Sequence, residues 1–185
     1  MPRIAPVSDE KAGPPDLVAA IRARRGGTLL TLDRMLLHSP GLAKGWNAHL
    51  GAVRNDLKIN ARLRELAICA VAVLNGAGYE FAMHGPIYVK EGGTEAALKA
   101  LRSVDAALAD RALFNDDERA ILEFATELTR RVTVSDATFA RARTAIGGDQ
   151  AGDQAIVELI GVIATYNMVS RFLVALGIES EKPGT

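Results

Sequence analysis

The stretch from Ala61 to Leu74, ARLRELAICAVAVL, constrains this chain more than any other part of it. After Glu65 every position through Leu74 is apolar, so a helix here has no polar face to turn toward water. The uncharged run is far shorter than the ~20 residues that cross a bilayer. The rest of the chain must therefore cover it on all sides, and 185 residues are enough to do so without disulfide staples.

The flanking text supplies helices for that purpose. Leu17, Val18 and Ile21 follow Pro14-Pro15-Asp16, where Asp16 is placed to cap, and Gly26-Gly27 is a stop signal. Leu29 to Leu37 precedes Ser39-Pro40. Leu42, Trp46, His49, Leu50 and Val53 then lie on one helical face. Asn75-Gly76 ends the apolar helix, and a further helix spans 78–91, with Pro86 expected to kink it or displace its start. Thr94 caps a helix to about Ser103. Asn115 with Glu118 forms a near capping box ahead of Ile121, Phe124, Ala125 and Leu128. Ser135 caps a helix that Gly147-Gly148 closes, and an apolar helix runs from about Asp153 to Leu176, with Gly177 as its stop. No period-two pattern is present, and the expected class is all-α. Residues 1–13 read as an arm, 14–179 as one helical domain and 180–185 as a tail.

Twenty-two basic and 22 acidic side chains balance to zero, which argues against a nucleic-acid footprint or an anionic-membrane patch. Met1 to Gly13 carries scattered charges and prolines and no apolar signal core, so the expected location is the cytoplasm. Cys69 is the sole cysteine, so neither an intramolecular disulfide nor a CxxC pair can form.

Chemistry is sought where ionisable residues interrupt apolar helices, because burying them alone costs several kcal/mol, roughly. Glu65 opens the apolar run. Beyond the turn at Asn75-Gly76, Glu80 and His84 stand at i and i+4 on one face, and a helix hairpin brings Glu65 opposite them. A carboxylate and an imidazole so placed share a proton or hold a metal. Zinc takes three or four ligands, and Glu80 with His84 supplies two, so no metal and no other cofactor is expected.

These residues resemble the carboxymuconolactone decarboxylase and alkylhydroperoxidase D (AhpD)-like family. Its redox branch carries a Glu, eleven residues, a CxxC pair, three residues and a His. The same frame stands here as Glu65, Ala77, Glu80 and His84, with Ala77 and Glu80 at the cysteine positions. Arg64-Glu65-Leu66-Ala67-Ile68, Tyr79-Glu80-Phe81, Tyr166-Asn167-Met168-Val169, Arg171-Phe172 and Ala175-Leu176-Gly177-Ile178 are also similar to family text, so the resemblance covers roughly residues 40–178. It implies an all-helical bundle around a helix hairpin, assembled as trimers or hexamers. In redox members the Glu and His relay protons to the thiols; in the decarboxylase branch CO2 leaves 4-carboxymuconolactone without a cofactor. The absent thiols set the redox chemistry aside. What carries over is acid–base chemistry by His84, oriented by Glu65, on a small carboxylated or lactone substrate; the alternative is a ligand-binding or scaffold relative without catalysis.

Each residue also has a plainer reading. His84 fits a helix–helix contact, and Glu65 a partnership with Arg62 or Arg171. Glu80 fits a solvated pair with His84. Trp46 and His49, with Tyr79, fit a pocket wall, but Trp46 fits the core equally. Asn167 and Arg171, four residues apart, line a pocket or a subunit interface. Cys69 reads as an inert core residue. The apolar faces of the 61–74 helix and the last helix exceed what one domain hides, which points to a homo-oligomer.

Overall fold

The structure, a computed structural model, describes residues 2–179, and the side chains of all of these but 148–151. The tail expected at 180–185 lies outside the described residues. The all-α class is the one adopted: the described residues contain no strand. The helices are α1 (Pro15–Arg25), α2 (Thr31–Leu36), α3 (Pro40–Asn55), α4 (Ala61–Leu74), α5 (Gly78–Lys90), α6 (Glu95–Ala100), α7 (Val104–Ala109), α8 (Asp116–Arg131) and α9 (Asp136–Leu176), with a short 3-10 turn at Asp9–Lys11. They fall into two compact units, one of Met1–Leu57 with Ala175–Thr185 and one of Lys58–Val174.

In the first unit α3 packs on α1 and α2 and buries Met35, Leu36, Trp46 and Leu50. Asp33, 1% exposed, is held by Arg24 and Arg25 and accepts from the Leu30 N–H at 3.0 Å. Arg3 N–H donates to Leu176 O at 2.8 Å, so this unit joins segments from opposite ends of the sequence.

In the second unit α4 is the centre, packed chiefly on α5 and α8. Every residue from Leu66 to Ala72 is at most 1% exposed, as an all-round apolar helix requires. Its start is fixed twice. The Asn60 side chain accepts from Leu63 N–H, and Glu158 Oε2 on α9 accepts from the Lys58 and Ile59 N–H groups at 2.7 Å each. Gly76, at φ 66°, turns the chain into α5 in the left-handed conformation a side chain disfavours. Beyond α5, the Gly93 backbone lies so close to the Tyr88 ring that a Cβ would sit 2.4 Å from it.

Several local expectations change. Gly147-Gly148 does not end a helix; α9 runs through it for 41 residues. Gly147 does not take the positive φ that Gly26 and Gly177 take where α1 and α9 stop, so nothing there reverses the chain. The helix expected from Thr94 to Ser103 is shorter, since α6 stops at Ala100, and beyond it Ser103 caps a helix not expected from the sequence, α7, through Ala106 N–H. Asp16 does not cap α1; Pro14 occupies the cap and Asp16 lies in the first turn, where its charge still suits the helix dipole. Pro86 does not displace the start of α5, which begins at Gly78 and continues past it. The Asn115–Glu118 capping box forms in both directions. Finally, Gly152–Leu176 is long and apolar enough to cross a membrane by length and composition, although charged residues interrupt it; 44% of its most apolar window is buried inside the protein.

Candidate acid–base site

The hairpin of α4 and α5 brings Glu65, Glu80 and His84 together in the second unit. His84 Nδ1 lies 2.5 Å from Glu65 Oε2, and Nε2, on the opposite side of the ring, lies 3.3 Å from Glu80 Oε2. Relative exposures are 3% for Glu65 and 2% for both Glu80 and His84. Glu80 is therefore not a solvated surface pair; the turn at Asn75-Gly76 folds its face of α5 onto α4. The edge of the Tyr166 ring on α9 meets the imidazole, with centroids 4.9 Å apart at 83°.

Glu65 does take an arginine partner, but it is Arg64, whose Nε donates to Glu65 Oε1 at 3.1 Å, whereas Arg62 pairs with Glu118 and Arg171 donates to Asn167. Neighbouring helix positions point apart, so the sequence directed attention three or four residues away and missed Arg64. The only signal for it was its place in the family-like text.

Electrostatics follow from this arrangement. Burial pushes the Glu65 carboxyl up, but the His84 hydrogen bond and charge, with Arg64 behind them, more than reverse it, so Glu65 ionises more readily than an ordinary glutamate. Burial pushes the His84 imidazole down, and the Glu65 and Glu80 carboxylates outweigh burial, so His84 holds its proton above the usual histidine range. Cys69 is fully buried on α4; burial, then the charges of Glu65 and Glu80, drive its thiol far up, so no thiolate forms there.

The remaining predicted residues are placed as follows. Tyr79 is buried beside Glu80 in the chain. Trp46 is buried and His49 exposed on α3, in the first unit. Asn167 is a tie between elements: its Oδ1 accepts from Asn75 and Arg171, and its Nδ2 donates to Thr129 Oγ1 and Ile163 O. It thereby fastens the α4–α5 turn to α8 and α9. Among the described residues no group of three or more His, Cys, Asp or Glu has the arrangement of a metal site. A surface cavity of about 470 Å³ between α8 and α9 is lined by Asp116, Arg119, Glu123 and Arg141, away from the site.

Residues 40–127 match the family model of the carboxymuconolactone decarboxylase family. No curated protein matches the sequence significantly. Among solved structures, an uncharacterized peroxidase-related protein from Silicibacter sp. TM1040 is 19% identical with a TM-score of 0.75, covering 97% of this chain and 94% of that one. An alkylhydroperoxidase AhpD core protein from Ralstonia eutropha JMP134 is 20% identical at TM-score 0.77, over 96% and 92%. The debrominase Bmp8, in complex with 2,3,4-tribromopyrrole, is 17% identical at TM-score 0.77, over 98% and 94%. At these identities the likeness is one of fold. The matched segment holds Glu65, Glu80 and His84; over it the chain is similar to the carboxymuconolactone decarboxylase family, and the helical fold it shares with the AhpD-like structures extends over nearly the whole chain.

Proposed function

We propose that this protein is a cofactor-free acid–base enzyme that decarboxylates a small carboxylated lactone, with His84 supplying the proton and Glu65 orienting it. The observation that carries the reading is the buried 2.5 Å contact between Glu65 and His84. A protonated imidazole fixed by a carboxylate, where water does not screen its charge, is suited to protonate carbon as CO2 leaves. The C–CO2 bond breaks, its electron pair enters the conjugated lactone, and the proton from His84 forms the new C–H bond. Thiol-based reduction of hydroperoxides lacks support, since Ala77 and Glu80 stand where the frame has cysteines and Cys69 cannot ionise.

The test is loss of ultraviolet absorbance with CO2 release from 4-carboxymuconolactone. The expected result is turnover by the parent protein and by Cys69→Ala, and a fall in kcat of about 100-fold or more in His84→Ala. Parent-level turnover in a folded His84→Ala protein overturns the assignment, and so does an inactive parent.

We further propose that the protein works in the cytoplasm as a homo-oligomer. Support comes from α9, which leaves Val157, Met168 and Val174 at 67%, 41% and 47% exposure. Sedimentation at micromolar concentration should give an assembly of several chains; a clean monomer refutes it.

A further inference from the structure

The acid–base reading gives Glu80 no task, yet Glu80 is the most anomalous group in the site. Its Oε2 is buried and makes no hydrogen bond of normal geometry; its polar neighbour is His84 Nε2, in an ion pair at 3.3 Å. Other buried carboxylates of this protein find donors: Glu65 takes Arg64 and His84, Glu118 takes the Asn115 N–H, and Asp33 takes two arginines and a backbone N–H. An unsatisfied buried oxygen costs about 1–3 kcal/mol, more when charged, and such groups in native proteins call for a functional explanation. The groups facing His84 narrow what that explanation is. From α4 comes Glu65, backed by Arg64; from α9 comes the Tyr166 ring; from α5 comes Glu80. Glu65 holds Nδ1, so the proton on Nε2 has Glu80 as its neighbour.

We propose that Glu80 is a catalytic residue, the group that hands the proton to the substrate, with His84 as its carrier and Glu65 as the anchor of the ring. The proposal rests on the acid–base reading and assigns its last step. The proton moves from His84 Nε2 to Glu80 Oε2 across 3.3 Å, leaving a neutral imidazole and a neutral carboxylic acid. As the C–CO2 bond breaks, its electron pair passes into the conjugated lactone. The Glu80 O–H bond then breaks, its proton forms the C–H bond and its electron pair stays on the carboxylate. One proton from solvent, returned through His84, is consumed for each CO2 released.

Two readouts test this. The protein has three histidines, His38, His49 and His84, so carbon-13 labelling of the imidazoles gives a spectrum in which His84 can be followed with pH. Glu80→Gln should lower the His84 midpoint, with Glu80→Asp in between. With 4-carboxymuconolactone, Glu80→Gln should lose about 100-fold in kcat with little change in KM, and Glu80→Asp should recover part of it with an altered pH profile. A His84 midpoint unmoved in folded Glu80→Gln protein, or kcat retained there, overturns the proposal. If the parent protein fails to turn over the lactone, the decarboxylase reading falls on that result alone, and the titration still decides whether Glu80 and His84 share a proton.

Discussion

Replacing Glu65 by alanine should lower the unfolding free energy by about 3–5 kcal/mol, the range observed when one partner of a buried ion pair is removed. Glu65 meets His84 at 2.5 Å with both side chains buried, so the variant removes the buried carboxylate that holds Nδ1 and leaves the Arg64 Nε without its acceptor. The effect depends on pH on both sides. The Glu65 carboxyl ionises more readily in the folded protein than its ordinary value of 4.5, so its contribution is complete above 4.5 and fades as pH falls through the folded value. The His84 proton is held above its ordinary value of 6.5, so that contribution is complete below 6.5 and fades as pH rises through the folded value. The pair therefore stabilises most between about 4.5 and 6.5. Urea denaturation of parent and variant across this range and above it should show the largest gap inside the window, shrinking in alkali as the imidazolium is lost. A gap below about 1 kcal/mol at pH 5.5, the magnitude of an exposed pair, contradicts the description of the site.

The second prediction is a gain of activity. Installing both Ala77→Cys and Glu80→Cys should give a protein that consumes an organic hydroperoxide with dithiothreitol as reductant, at a rate about 100-fold above its parent, the contribution expected of a positioned acid–base pair. Residue 77 is the N-cap of α5 and residue 80 lies in its first turn. Positions three apart at a helix start are within reach of a disulfide, and the helix N-terminus favours thiolate. His84 and Glu65, untouched, stand ready to move the proton. One thiolate attacks the peroxide, releasing the alcohol and forming a sulfenic acid; the second thiol displaces water to close the disulfide, which dithiothreitol reduces. Either single variant should lack sustained turnover by this route. A folded double variant that forms the disulfide but reduces no peroxide shows that the relay does not serve position 80.

Much of this was legible in the sequence because it rested on local rules. The all-round apolar Leu66–Leu74 run had to be central, Asn75-Gly76 had to turn, and i, i+4 spacing put Glu80 and His84 on one face; together these assembled the site. What stayed hidden depended on partners from distant segments. Whether Glu80 met water or protein was decided by the packing of α5 on α4, and the role of Asn167 by Asn75 and Thr129, which sequence spacing does not connect to it. The Gly147-Gly148 dipeptide misled because a glycine permits a helix stop without compelling one. The short α7 went unseen, since six residues carry too little periodicity to register as a helix.

The unit formed by Met1–Leu57 and Ala175–Thr185 has a consequence for how the molecule is made. Lys58–Val174, with the acid–base trio, is continuous in the chain. The Arg3–Leu176 hydrogen bond must wait for the last turn of α9 and close a loop that spans nearly the whole polypeptide. A chain shortened ahead of residue 175 would therefore keep every residue of the acid–base trio but lack the Leu176 acceptor for the Arg3 N–H.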